Sequence, residues 1–345
     1  MIYDVAIVGG GPVGLAASIA ARMAGLTVLI IEQRSGPIDK ACGEGLMPGA
    51  IPLLAELGVS PEGSPLRGIT YRQGDAAVTH RFAAAPGRGV RRTVLHAALS
   101  ARAAELGVER VTAKVTELHQ GPLDVEVRTA DDRWFSARYL FGCDGLHSTI
   151  ARLAGLALPT PAKSRRYGVR QHFAVAPWTD TVEVYYGENA EFYVTPVSAG
   201  VTGIAMLSRR AVDFDTALAG LPDLAARLAG ATPASERRGA GPLRQRTSGR
   251  TTGRVLLVGD ASGYVDAITG EGLRLGFAQA REAVRCVASD APGNYERAWR
   301  RTTRDFRVLT GGLVMLALSP VRRGIVPSAV RLPKLFGFVV ERLAR

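Results

Sequence analysis

The sequence has few cysteines, few aromatic residues and few lysines. Its 345 residues include three cysteines, and aromatic side chains make up only 6% of the chain. An odd cysteine count without a C-x-x-C pair argues against a disulfide framework or a cysteine-ligated zinc site, so a reducing cytoplasm is the expected compartment. No other metal-ligand spacing and no Ser-His-Asp arrangement stands out, and we expect no metal site.

Long hydrophobic runs and N-terminal targeting patterns are also missing. The longest charge-free stretch late in the chain, residues 308–321, has 14 residues and is too short to span a bilayer. The N-terminus has no basic region and runs directly into an apolar pattern over 3–8, so we expect neither a signal peptide nor a transmembrane segment. A hydrophobic content of 47% with 21% charged residues fits a globular enzyme of one or two domains.

Positive charge is concentrated near the C-terminus. The chain carries 43 Lys and Arg against 31 Asp and Glu, and residues 297–345 hold 11 basic and two acidic residues. Apolar groups lie among these cations. This fits either peripheral membrane contact through basic C-terminal helices or a helical cap whose arginines face water, and we favour the cap. Nucleic-acid binding is not expected, because no recognition module is present.

The first 32 residues have the pattern of a βαβ unit with a glycine-rich turn. Gly9-x-Gly11-x-x-Gly14 follows an apolar strand pattern and precedes an alanine-rich helical segment and a second strand ending at Glu32. Such a turn lets the backbone approach a pyrophosphate, whose charge the helix N-terminus stabilises. Glu32 can accept hydrogen bonds from ribose hydroxyls and would repel a 2′-phosphate. The pattern therefore predicts FAD or NAD rather than NADP.

Two later motifs distinguish between these cofactors. The segment 142–145 (G-C-D-G) follows a strand pattern, and Gly259-Asp260 follows another, ahead of T-G-E-G at 269–272 where a long helix starts. In this order the motifs resemble the large FAD-dependent family that includes para-hydroxybenzoate-type aromatic hydroxylases and geranylgeranyl reductases. The resemblance covers most of the chain and selects FAD as the cofactor.

This resemblance implies an α/β protein with a Rossmann-type FAD-binding domain (GR2-like), an inserted antiparallel β-sheet substrate domain and C-terminal helices. Alternating apolar residues over 167–207 agree with a sheet in the insertion. The expected division assigns residues 1–65, 90–158 and 248–290 to a discontinuous FAD-binding domain, 66–89 and 159–247 to the substrate-binding domain, and 291–345 to a C-terminal helical segment.

The same resemblance implies roles for individual residues. Asp260 would bind a ribityl hydroxyl of FAD, the backbone of 270–272 would lie near the flavin N1/O2 edge, and Arg92 would lie near the phosphates. Asp144 either fixes the loop over the flavin or caps the helix that starts near His147. The predicted cofactor-binding residues are Gly9, Gly11, Pro12, Gly14, Glu32, Gln33, Arg34, Cys42, Gly43, Arg92, Asp144, Gly145, Gly259, Asp260, Gly270, Glu271 and Gly272.

One segment points to a branch of the family. Residues 40–46 read K-A-C-G-E-G-L, similar to the K-x-C-G-x-G segment of the geranylgeranyl reductase branch, whereas Ala267 departs from the proline usual in the family. Cys42 either lies near the flavin or substrate or is a small buried thiol that fills a loop. A flavin-dependent halogenase is disfavoured, because the W-x-W-x-I-P segment and the expected halogenating lysine are absent.

The predicted substrate sheet supplies most of the remaining candidates. In the strand pattern over 168–173, period-two alternation places Arg170 and His172 on one face. Tyrosines farther along either contact an aromatic or polyene substrate or pack within the sheet; they are Tyr185, Tyr186 and Tyr193. Together with Cys42, the catalytic candidates are Arg170, His172 and Tyr193. The short candidate list is expected where a flavin carries the chemistry and the protein supplies orientation and a dry site.

The resemblance implies an FAD-dependent oxidoreductase that acts on a small hydrophobic substrate. We favour a monooxygenase of secondary metabolism that hydroxylates an aromatic or polyketide-like molecule through a C4a-hydroperoxyflavin, since the short substrate domain leaves little chain for a lipid tunnel. The alternative is reduction of isoprenoid or polyene double bonds, which the basic apolar tail and the C-G-E-G segment favour. NAD(P)H would dock transiently, or a separate reductase would supply electrons. A non-catalytic lipid carrier is disfavoured, because all three flavin motifs are present.

Overall fold

The computed structural model describes residues 2–161, 165–209, 212–317, 319 and 324–344. The helices in these ranges are α1 (Pro12–Met23), α2 (Ala50–Glu56), α3 (Arg92–Glu105), α4 (Thr149–Leu153), α5 (Phe214–Ala219), α6 (Pro222–Leu228), α7 (Gly272–Ala288), α8 (Asn294–Ala317), α9 (Ile325–Arg331) and α10 (Pro333–Ala344). The strands are β1 (Ile2–Val8), β2 (Val28–Glu32), β3 (Gly45–Leu46), β4 (Ser64–Leu66), β5 (Gly68–Gln73), β6 (Ala76–Arg81), β7 (Gly87–Gly89), β8 (Glu109–Thr112), β9 (Val115–Gln120), β10 (Val125–Thr129), β11 (Trp134–Gly142), β12 (Ala157–Leu158), β13 (Tyr167–Ala174), β14 (Val182–Tyr186), β15 (Ala190–Ser198), β16 (Val201–Ser208), β17 (Thr232–Pro233), β18 (Arg238–Ala240), β19 (Arg246–Thr247), β20 (Thr251–Thr252) and β21 (Val255–Leu257).

The first sheet has parallel strands at its centre, in the order β8-β2-β1-β11-β21. Both of its faces are covered, which is why β1 reads as a continuous apolar run. Val5 and Ile7 pack on one side with residues of α1, α3 and α7, while Ala6 and Val8 pack on the other. The antiparallel strands β9 and β10 extend from the amino-terminal half of β11, and β20 closes the far edge.

The second sheet has the order β17-β13-β16-β15-β14-β5-β6, with β18 also paired to β13. Its pairs are antiparallel except that β14 runs parallel to β5. Residues 68–81 thus join a sheet whose other strands come from 167–240. A Rossmann-type domain with a second, largely antiparallel sheet confirms the predicted fold class.

The C-terminal helices α9 and α10 pack on the outer strands of the second sheet. Phe336 and Val340 lie in one apolar cluster with Val78 of β6, and Glu341 Oε1 lies 2.9 Å from His80 Nε2. A Cβ on Gly337 would lie 2.6 Å from His80 Nδ1, so α10 approaches the sheet as closely as glycine allows. Among the described helices, none is both long and apolar enough to cross a membrane.

Candidate active site

A cavity of about 980 Å³ lies where the carboxyl ends of β1 and β2 face the second sheet and the C-terminal helices. A ligand site is expected at this edge of an open α/β sheet. Of the predicted cofactor residues, only Gly14 and Gly259 are outside its lining. Both are closely packed against neighbouring residues, since a Cβ would lie 1.9 Å from Gly9 O at Gly14 and 3.0 Å from Val13 at Gly259.

The glycine-rich turn joins β1 to α1 at one end of the cavity. Gly9 has φ of +110°, and a Cβ there would lie 2.5 Å from Cys143 O. Helix α1 starts at Pro12, and no side chain caps the helix at Gly11. The first N–H groups of α1 are therefore available at the cavity, where they and the helix dipole favour an anion.

Glu32 ends β2 beside this turn. Its Oε2 accepts a hydrogen bond of 2.7 Å from the Gly10 N–H, and Oε1 accepts one of 3.0 Å from the Arg34 N–H. These bonds fix the carboxylate at the cavity wall, next to Gln33 and Arg34. A ribose placed there would donate its hydroxyls to an acceptor that is already oriented.

Cations line part of the cavity. Arg34, Lys40 and Arg92 all contribute to the wall, as does Asp260. Burial raises the pKa of Asp260, while the charges of Arg92 and Lys40 act in the opposite direction. The buried Nε of Arg92 has no hydrogen-bond partner among the described residues, so a guanidinium N–H remains available to a ligand.

Asp144 caps a helix. Its Oδ1 accepts a hydrogen bond from the Ser148 hydroxyl (2.5 Å), and Oδ2 accepts one of 3.1 Å from the Ile150 N–H. Ser148 in turn caps α4 by accepting from the Ala151 N–H. Of the two roles considered for Asp144, helix capping is the one these contacts show, and the residue also lines the cavity.

The far end of the cavity is formed by the loop before α7. Gly270 has φ of +68°, and no side chain caps α7 at Glu271. The loop is attached to the second sheet through Arg166, whose Nη1 donates to Asp266 Oδ1 at 2.9 Å. Asp266 Oδ1 also accepts from the Ile268 N–H at 3.0 Å. A helix N-terminus is thus held against the cavity, where negative charge is stabilised.

Glu271 is a buried carboxyl in this wall. Its Oε2 pairs with Arg274, whereas its buried Oε1 has no hydrogen-bond partner among the described residues. Burial raises the pKa of Glu271 to about 7, with Arg274 opposing the shift. A carboxyl that titrates near neutrality inside a cavity is able to accept or donate a proton there.

We expect the stability of the FAD-free protein to fall as the pH rises from about 4.5 to about 7, by at most about 3 kcal/mol from Glu271. The raised pKa means that the folded protein keeps a proton which the unfolded chain has released. Glu271→Gln removes this dependence. Thermal unfolding at about pH 5 and pH 8 should show the variant gaining stability relative to the wild type at the higher pH.

Glu282→Gln is the matched control, since Glu282 lies in α7, the helix that begins directly after Glu271, and also pairs with an arginine three residues later, Arg285. If Glu271→Gln and Glu282→Gln changed the pH dependence of thermal unfolding equally, the raised pKa of Glu271 would be contradicted.

The loop over 39–46 is fixed through Glu44, a role that the sequence motif does not reveal. Glu44 is 3% exposed. Its Oε1 accepts a 2.8 Å hydrogen bond from the Arg92 N–H, and its Oε2 lies 2.5 Å from His172 Nε2. The Thr195 hydroxyl donates to Gly43 O at 2.8 Å. Glu44 therefore joins the start of α3, the second sheet and its own loop.

Arg170 and His172 lie on one face of β13, as predicted, but behind this loop and outside the cavity lining. Arg170 pairs with Asp39, and His172 Nδ1 lies 2.8 Å from Ser235 Oγ. Ser235, His172 and Glu44 therefore form a series that no local motif signals. The Ser235 hydroxyl donates to Glu236 O and is also outside the lining, so the series holds the loop in place and presents no nucleophile to the cavity.

The other candidates divide between the wall and the core. Cys42 and Tyr193 line the cavity, and burial raises the pKa of both, so both keep their protons at neutral pH. Tyr185 donates to Glu183 inside the sheet, and Tyr186 packs against Tyr71 with ring centroids 5.3 Å apart. Of the two interpretations of the tyrosines, packing applies to these two residues and cavity contact to Tyr193.

The residues present fit FAD. Along the cavity they supply a carboxylate at Glu32 for a ribose, a helix N-terminus and three cations for a diphosphate, a second carboxylate at Asp260 for a hydroxylated chain, and the α7 N-terminus for an electron-rich ring edge. These donors and acceptors match the chemical groups of the cofactor.

Comparison with known proteins agrees with this fit. Residues 2–297 match the FAD binding domain family. The chain belongs to this family. It is an FAD-dependent oxidoreductase of the superfamily that contains para-hydroxybenzoate hydroxylases and geranylgeranyl reductases.

Relatives that this chain resembles are named for different reactions. The chain is 27% identical to menaquinone reductase of Mycolicibacterium smegmatis, over 98% of this chain and 90% of that protein. It is 26% identical to digeranylgeranylglycerophospholipid reductase of Methanocaldococcus jannaschii, over 87% and 82%. Rifampicin monooxygenase of Streptomyces venezuelae is 31% identical, over 46% of this chain and 35% of that protein.

Solved structures share the fold. A flavoprotein/dehydrogenase from Cytophaga hutchinsonii superposes with a TM-score of 0.87 at 18% identity, covering 99% of this chain and 92% of that one. A flavin-dependent brominase superposes with a TM-score of 0.84, also at 18% identity, covering 100% and 94%. At this identity the similarity shows the architecture, and the reaction has to be argued from the site.

Proposed function

We propose that this flavoenzyme reduces a carbon–carbon double bond in an isoprenoid or polyene substrate. The observation that carries the proposal is the apolar end of the cavity. Beyond the predicted cofactor residues its wall is formed by apolar side chains of the second sheet and of α8, α9 and α10, among them Val184, Leu313, Ile325, Phe336, Val339 and Leu343.

This wall removes the argument for preferring hydroxylation. The inserted sheet is short, but the C-terminal helices add an apolar wall to the cavity, so the space for a chain-like substrate does not depend on the insertion alone. The similarity to menaquinone reductase and digeranylgeranylglycerophospholipid reductase over most of the chain supports the same choice.

Reduction of a double bond needs a hydride and a proton, and bound FAD, once reduced, supplies the hydride. The protein supplies the rest. Apolar residues exclude water from the substrate, and the protein orients the double bond of the substrate beside the α7 end of the cavity. Tyr193 and Glu271 are proton-bearing groups in the wall, and the pKa of Glu271 near 7 suits proton delivery at neutral pH. NAD(P)H or a separate reductase would provide the electrons.

Hydroxylation of an aromatic or polyketide-like molecule is the second candidate. It is favoured by the highest identity among the relatives described above, the 31% shared with rifampicin monooxygenase. That similarity extends over less than half of this chain.

The mass of the product distinguishes the two reactions. Protein loaded with FAD, reduced with dithionite without oxygen and given geranylgeraniol in detergent micelles, should yield a product that has gained two hydrogen atoms. The control uses the same protein with its FAD left oxidised. A parallel incubation with NAD(P)H under ¹⁸O₂ should leave the substrate without label. Incorporation of one labelled oxygen, with no reduction in the anaerobic sample, would overturn the proposal in favour of hydroxylation.

A further inference from the structure

The outer surface of α9 and α10 carries large apolar side chains that are open to solvent. Leu332, Leu335 and Phe338 are 55%, 57% and 67% exposed, and Val330 is 44% exposed. Single exposed apolar residues are common, but four within nine residues form a patch of the kind found at interaction sites.

This patch is held in a defined orientation. Phe336 and Val340 face the second sheet, and the close approach of Gly337 to His80 fixes the rotation of α10. Glu341 Oε1 also accepts a hydrogen bond of 2.8 Å from the Ala83 N–H. Because one side of α10 packs on the second sheet, Leu335 and Phe338 lie on the opposite, solvent-exposed side.

The patch is next to the cavity. Leu332 and Leu335 both line the cavity and are more than half exposed, so they lie where its apolar end meets solvent. A hydrophobic molecule entering between these residues would pass directly from the surface of α9 and α10 to the apolar wall.

The charge around the patch selects the partner. Arg331 and Lys334 are both exposed and lie next to Leu332 and Leu335 in the chain. Apolar side chains combined with cations match a bilayer surface that contains anionic lipids, since the apolar groups enter the interface and the cations are attracted to the lipid head groups.

We propose that α9 and α10 dock on an anionic phospholipid membrane and that the substrate enters the cavity from it through the gap at Leu332 and Leu335. Substrate entry rests on the proposed reduction of an isoprenoid or polyene. Docking itself rests on the patch, its charge and its place beside the cavity.

Binding to vesicles without substrate tests the docking. FAD-loaded protein is sedimented with vesicles of phosphatidylcholine alone or with phosphatidylglycerol added. We expect binding to the anionic vesicles that weakens as salt is added, and a partition coefficient at least about tenfold lower for Phe338→Glu. The matched control is Leu123→Glu, since Leu123 is 77% exposed in the turn between β9 and β10. Flavin absorbance checks that each variant is folded and loaded.

Three results would overturn the docking: no binding of the wild type to either vesicle, equal losses in Phe338→Glu and Leu123→Glu, or a change from dimer to monomer in Phe338→Glu without any change in vesicle binding. The last result would assign the patch to a second copy of the chain. Because neither substrate nor electron donor is present, this experiment is independent of the reaction. The reaction is tested separately with substrate in micelles.

Discussion

Replacement of Arg166 by methionine is expected to lower the free energy of unfolding by about 3–5 kcal/mol. Arg166 is 2% exposed, and its two terminal nitrogens bind Asp266 at 2.9 Å and Glu191 at 2.5 Å. Methionine fills similar space but leaves two buried carboxyls without a cation. Removing one partner of a buried pair leaves a charge that neither water nor protein stabilises.

Denaturant titration of Arg166→Met measures this loss. The destabilisation should be smaller at about pH 5 than at about pH 8, because the stranded carboxyls can then bind protons. The control is Arg81→Met, which breaks an exposed pair with Asp180 and should leave the midpoint nearly unchanged. Adding Glu191→Gln and Asp266→Asn to Arg166→Met should recover part of the loss. Equal midpoints for Arg166→Met and Arg81→Met would refute this account.

Substitution of two glycines of the first turn should separate folding from cofactor binding. A Cβ at Gly14 would lie 1.9 Å from Gly9 O, whereas one at Gly11 would meet only the end of the Arg92 side chain at 3.7 Å. Gly14→Ala should therefore lower the free energy of unfolding by more than about 3 kcal/mol, the upper end of the usual cost of overpacking, because the backbone must move. Gly11→Ala should fold normally and lose FAD affinity at least about tenfold, or about 1.4 kcal/mol.

Circular dichroism and FAD fluorescence titration report the two properties separately for the two glycine variants. The expected pattern is a disrupted fold in Gly14→Ala and a native spectrum with weak FAD binding in Gly11→Ala. Unchanged FAD affinity in Gly11→Ala would show that the cofactor does not approach the turn at this position.

All the predicted cofactor residues except Gly14 and Gly259 line one cavity, and the reason that the sequence motifs could find them is physical. The glycines of the first turn, Glu32 and the 269–272 segment act through local backbone geometry, which depends on residues close in the chain. Their spacing is therefore visible in the sequence. The same holds for the paired orientation of Arg170 and His172, which follows from the two-residue period of a strand.

The polar clusters behind the walls could not be predicted in this way. Arg166, Glu191 and Asp266 meet only after the second sheet has packed against the loop before α7, and Glu44 meets His172 only where the loop over 39–46 packs on that sheet. No spacing along the chain encodes such contacts. The apolar side chains that α8–α10 add to the cavity wall could not be predicted either, for the same reason.

The order in which the strands of the two sheets occur in the chain also constrains how the protein folds during its synthesis. β11 lies between β1 and β21, and β21 is formed by Val255–Leu257, after every strand of the second sheet has left the ribosome. The first sheet therefore keeps an unpaired parallel edge through most of translation. Long-range parallel pairing of this kind closes slowly and exposes an aggregation-prone edge. Neither sheet is a contiguous piece of chain, so truncation is expected to yield no independently folding half.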